Sequence, residues 1–184
     1  MIFVYVVITV IIIASVLVFI QARNKKNELN NSLNSFCDIN NFNCNKKYIN
    51  IQDGFLLTYD EVKKKIILIK RNKEPKTIDF NLVLDCVVSI DGETINKSSV
   101  TNIIGGAILG GGIGALIGAS IKSKKVEKID NISLVLTIND LSSPKLEIKF
   151  PILGMTSDYD KEEVEEWHNV FKVIIERNKP VLQS

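Results

Sequence analysis

Sorted by apolar and polar positions, the chain opens with one long uncharged run and a polar stretch. Short alternating segments follow, with a second uncharged run set among them, and an amphipathic helix closes the chain. Residues 2–20 hold no charge and are dominated by Val and Ile. At about 1.5 Å per helical residue the run reaches about 28 Å, close to the hydrocarbon thickness of a bilayer. β-branched residues are mediocre helix formers in water, but lipid offers backbone N–H and C=O groups no other partners. The polar Thr9 and Ser15 can bond to carbonyls one turn back. The pattern predicts a transmembrane anchor over residues 1–21. A cleaved signal peptide is the rival, but such peptides open with a basic segment, and only the terminal amine precedes this run.

Residues 22–46 are rich in Asn, Lys and Ser with scattered Leu33, Phe36 and Phe42, and read as a juxtamembrane linker. From residue 47 the pattern becomes short apolar runs bounded by turn residues. Strands are expected over 54–59, 65–70, 77–80, 82–90, 132–138 and 146–150, with Asp91-Gly92 as a turn. A helix over 160–178 follows, with Asp160 and Glu163 in the capping-box spacing. Val164, Trp167, Phe171 and Ile174 recur at three- and four-residue steps and form its apolar stripe. Pro180 stops it.

The second uncharged run, 103–121, reads IIGGAILGGGIGALIGASI. Gly106, Gly110, Gly114 and Gly118 fall at a strict four-residue step, so on a helix they line one narrow face where another backbone can approach closely. Seven glycines at about 1 kcal/mol each make such a helix unstable in water without lipid or a partner. A phosphate-binding loop would need Gly-Lys-Ser/Thr where Gly118 is followed by Ala119-Ser120. A dinucleotide fingerprint would need a βαβ context that is missing. The reading is a glycine-zipper insert over 101–122. It touches the membrane without fully crossing, because a full crossing would carry Lys122, Lys124 and Lys125 outside. A full span and burial against protein remain open.

Charge adds orientation and one exclusion. With 23 basic and 21 acidic residues, no nucleic-acid partner is expected. Arg23, Lys25 and Lys26 follow the first span, so the positive-inside rule places the N-terminus outside and the main domain in the cytoplasm. Three cysteines and one histidine offer no standard metal spacing. No metal or cofactor is expected; Cys37 and Cys44 are expected as thiols, with their disulfide the alternative. His168 is expected to flank the buried stripe, and Asp79, Asp85 and Asp91 to decorate turns and the solvent side. No paired-carboxylate or nucleophilic set is visible, Cys86 included.

The order of six or seven strands and then one amphipathic helix carrying Trp167 resembles a pleckstrin-homology (PH)-like domain. The glycine-rich run within it is similar to that of uncharacterised membrane proteins of low-GC Gram-positive bacteria and their phages. The resemblance implies an α+β fold: a bent antiparallel sheet or barrel over 47–179, plugged at one end by the helix. It also implies that the turn at Lys63, Lys64 and Lys65, with Lys70 and Arg71 nearby, can meet anionic lipid headgroups; a solvated hairpin tip is the plain alternative. The functional expectation is a single-pass, membrane-anchored, non-enzymatic binding or scaffold module. Its glycine zipper would mediate membrane contact or self-association into a homo-oligomer. A pore-forming effector is the alternative.

Overall fold

Leu29, Leu33, Phe36 and Cys37 follow one another at four, three and one residues, a stripe that only a helix aligns. In the computed structural model, which describes residues 2–90, 93–95, 131–151 and 158–178, they extend the anchor without a break. Helix α1 runs Ile2–Asn40 over 39 residues. Residues 22–40 of the expected linker are thus helical. Their Asn and Ser content disfavours a helix, but burial of Leu29 and Leu33 overrides propensity.

The strands are β1 (Lys47–Asn50), β2 (Phe55–Asp60), β3 (Lys65–Lys70) and β4 (Lys76–Asp79), then β5 (Val83–Ile90), β6 (Glu93–Ile95), β7 (Asn131–Ile138) and β8 (Lys145–Pro151). Helix α2 (Asp158–Asn178) closes the order. They form two four-stranded sheets, β1-β2-β3-β4 and β6-β5-β7-β8; the pairs with a defined register are antiparallel. The chain divides after Thr77 into two compact units. The expected glycine-zipper helix over 103–121 lies outside the described residues, with Gly106, Gly110, Gly114 and Gly118, Asp91-Gly92 and Pro180.

In the first unit, Leu56 faces Ile69 and Thr58 faces Ile67 across the β2–β3 pair. Leu29 and Leu33 of α1 pack on Leu56, Ile67 and Ile69, with Phe36, Cys37, Phe42, Cys44 and Ile49 around them. Both faces of this hairpin are buried. Thr58 Oγ1 is buried without a hydrogen-bond partner, an arrangement that costs about 1–3 kcal/mol.

In the second unit, β7 alternates as a half-buried strand should. Ile132, Leu134, Leu136 and Ile138 are buried, and Ile132 and Leu134 stand opposite Phe150 and Ile148 of β8. Helix α2 packs on β5, β7 and β8 and buries all four residues of its stripe, Val164, Trp167, Phe171 and Ile174. Trp167 Nε1 donates to Glu163 Oε1 at 2.9 Å, so the one polar atom of the ring is satisfied. At the far end of the helix, Asn178 Nδ2 donates to the carbonyls of Phe80 and Val83, fixing it to the short 3-10 turn that opens β5.

Candidate functional site

Residues 2–20 supply the first part of the site. Every side chain in this stretch is exposed, including Phe3 and Phe19. Thr9 and Ser15 hydroxyls donate to the carbonyls of Tyr5 and Ile11, both at 2.8 Å, so neither presents an unsatisfied hydroxyl. An apolar cylinder of this length with its polar atoms turned inward suits lipid and not water. Among the described residues it is the one helix long and apolar enough to cross a membrane.

The chain beyond the span goes up and down beside α1. The helix runs out from the apolar segment, β1 returns, β2 runs out and β3 returns, with β4 beside β3. One end of the first unit thus carries the β1–β2 and β3–β4 turns close to the span, and the other carries the end of α1 and the β2–β3 turn. Contacts at both ends agree. Arg71 Nε donates to Glu28 Oε2 at 2.9 Å near the span, and Lys63 Nζ donates to the Asn40 carbonyl at 2.6 Å at the far end.

The far end is a built corner. Asn41 takes φ 52°, Phe42 N–H bonds to the Cys37 carbonyl and Asn41 N–H to that of Asp38. This is the Schellman ending of a helix, with Asn in the left-handed position. Phe42 stacks on Phe36 at 5.5 Å, the apolar contact that accompanies such an ending. The reversal brings Cys44 back over the helix beside Cys37, a proximity that the turn supplies. Asp60 locks the corner from the sheet, its carboxylate accepting from the N–H groups of Asn43 at 2.6 Å and Lys63 at 2.8 Å. Burial pushes its pKa up. The N–H groups of Lys63, Asn43 and Val62 and the Lys63 ammonium outweigh that and hold it below the usual 3.8.

The five basic residues singled out in the sequence are therefore not one cluster. Lys63 bonds the end of α1 and lies 4.8 Å from the Phe42 ring. Lys64 fills a left-handed turn position at φ 54°, and Lys65 opens β3 on the same end. Lys70 and Arg71 lie at the opposite end of β3. There an open groove of about 520 Å³ runs between Glu28, Leu29 and Ser32 of α1 and the 70–75 segment. Sequence spacing hid this split because a six-residue strand separates the two groups. Asp60 was not singled out; an Asp three residues before a Lys-rich turn was the signal available.

The other candidates lie in the second unit. The Cys86 thiol is buried beside Asp85, and burial above all, then that carboxylate, pushes its pKa up to about 12, so it stays protonated and a poor nucleophile. Cys86 N–H donates to Asp85 Oδ1 at 2.8 Å, and Asp85 is exposed. His168 is half-buried at the edge of the α2 stripe. No group of His, Cys, Asp and Glu among the described residues could hold a metal ion.

Antiparallel strands in two four-stranded sheets, followed by a helix with a buried Trp, give the element order of a PH-like domain, here behind an apolar N-terminal helix. The model of the glycine zipper-containing PH domain family matches residues 43–151, and the chain belongs to that family. It is a membrane protein of this class. It is similar to a protein named "Immunity protein" of Bacillus phage SPbeta, 33% identical over 125 residues, which cover 60% of this chain and 62% of that one. An SPbeta prophage-derived uncharacterized membrane protein of Bacillus subtilis (strain 168) is likewise 33% identical over 125 residues, covering 60% of this chain and 55% of its own length. The chain thus spans less than two thirds of the length of these relatives. No solved structure matches it.

Proposed function

We propose that the chain is a membrane-anchored, non-enzymatic binding or scaffold module. The observation that carries this is the continuity of α1. A fully exposed apolar segment passes, without a loop, into a helix whose Leu29 and Leu33 belong to the core of the first unit. The module would be held against the lipid surface rather than hung from it. Its partners would be membrane lipid and, through the glycine-rich 103–121 run, further copies of the same chain. The relative named an immunity protein supports placing this module in an immunity function, with binding at the membrane as its active step.

Alkaline carbonate extraction of membranes tests the reading. The full chain should stay with the membrane, and a chain shortened to begin at Gln21, which keeps Leu29 and Leu33, should become soluble and folded. If the shortened chain resists extraction, 103–121 inserts by itself and the pore-forming reading takes precedence, with dye leakage from vesicles as its measure.

The proposal puts the module on the cytoplasmic side, on the ground that Arg23, Lys25 and Lys26 follow the apolar run. The Cys37–Cys44 pair tests that placement, since disulfides persist in oxidising compartments. Thiol capping before lysis should find both cysteines reduced in cells; an intact bond would instead put residues 21 onward outside.

A further inference from the structure

The two ends of the first unit stand at different heights above the bilayer, and the height follows from α1 alone. The apolar run stops at Ile20, and Glu28, which pairs with Arg71, comes eight residues later. At about 1.5 Å per residue that level lies about 12 Å beyond the hydrocarbon, of which roughly 5–7 Å is headgroup layer. Asn40, which receives the Lys63 ammonium, is a further twelve residues away, about 30 Å beyond the hydrocarbon. With a screening length of about 8 Å at physiological salt, the first level lies within one such length of the headgroups and the second about three away. The field of an anionic surface therefore falls about tenfold between them.

We infer that the near end forms a basic collar that binds the anionic headgroups of the leaflet on its own side. Its residues are Arg23, Lys25 and Lys26 of α1 and Lys70, Arg71 and Lys73 of the β3–β4 segment. Lys63, Lys64 and Lys65 take no part in it. The proposal rests on the reading of residues 2–20 as a membrane span. Glu28, Asp53 and Glu74 oppose the collar's charge at the same end. Glu28, however, engages Arg71 through Nε, and the Arg71 side chain stays nearly half exposed. All of the collar is exposed except half-buried Lys25, and the groove between Glu28, Leu29, Lys70 and Lys73 is open. Long basic side chains beside such a groove can reach the phosphate layer from this height, whereas the far corner spends Lys63 on closing its own helix.

The test is lysine acetylation of the full chain in vesicles of neutral phosphatidylcholine, compared with vesicles holding a third phosphatidylglycerol, read residue by residue by mass spectrometry. Lys25, Lys26, Lys70 and Lys73 should react at least about threefold more slowly with the anionic lipid, and 1 M salt should abolish the difference. Lys63, Lys64 and Lys65 serve as the internal control and should not change. Equal protection at both ends, or none at the near end, overturns the collar. So does protection by inorganic phosphate in neutral vesicles, which would mean a small-anion site instead. If the chain leaves the membrane on carbonate extraction, the span fails and the collar with it. If it stays and the near lysines are unprotected, the collar alone fails.

Discussion

Helices α1 and α2 each lay an apolar stripe on a four-stranded sheet, yet they are built on opposite terms. Helix α2 carries its own design: acidic residues crowd its first turns, Val164, Trp167, Phe171 and Ile174 form an unbroken buried stripe, and the Trp ring finds its partner one turn away at Glu163. Helix α1 beyond residue 20 offers two buried leucines in a run of Asn, Lys and Ser. It depends on what surrounds it: the Schellman ending, the Phe36–Phe42 stack and the Asp60 lock. One helix is stabilised along its face, the other at its end.

Substitutions can sharpen or break that contrast. The largest effect is expected for Trp167→Ala, a loss of about 4 kcal/mol from the cavity left in a closed core, seen in thermal unfolding of the full chain in nanodiscs. Leu33→Ala should cost about 3 kcal/mol, with hydrogen exchange rising first in β2 and β3; if the loss is much smaller, α1 is held by its end alone. Asp60→Asn should cost about 2 kcal/mol, since the carboxylate accepts charge-assisted bonds at the corner.

The sign of the pH effect follows from the lowered pKa of Asp60. Its contribution is present above the ordinary value of 3.8 and is lost as pH falls through the lower folded value. Acid titration of the wild type and the Asn variant should therefore converge below that range. Thr58→Val should raise stability by about 1 kcal/mol, because it removes a buried hydroxyl with no partner. Glu28→Gln should change it by no more than about 0.5 kcal/mol, the pair with Arg71 being nearly half exposed.

Legibility in the sequence tracked how local the signal was. The α2 stripe was readable from spacing, and the expected strands lie within about two residues of β2, β3, β4, β5, β7 and β8, the ordinary uncertainty of such ends. Strand β1 was missed because four residues, Lys47–Asn50, with one aliphatic side chain make no pattern. The three-residue β6 is shorter still. The extension of α1 was missed because composition pointed to a linker while the 29-33-36-37 spacing pointed to a helix. The split of the basic residues, the nearness of Cys37 and Cys44 and the role of Asp60 depend on the chain turning back at Asn41. That reversal rests on one left-handed residue, which no periodicity announces.

If residues 2–20 span the bilayer as proposed, the unbroken passage of α1 into the core has a mechanical consequence. With no hinge between them, the first sheet shares every motion of the span, leaving it lateral diffusion and rotation about the membrane normal as its free movements. A change of about 10° in helix tilt would swing the Asn40 corner through about 5 Å, given the roughly 30 Å of helix outside the hydrocarbon. Bilayer thickness, which sets tilt, would thus steer where the corner points. Two such chains meeting in one membrane would approach at a fixed height, needing only to find the right azimuth.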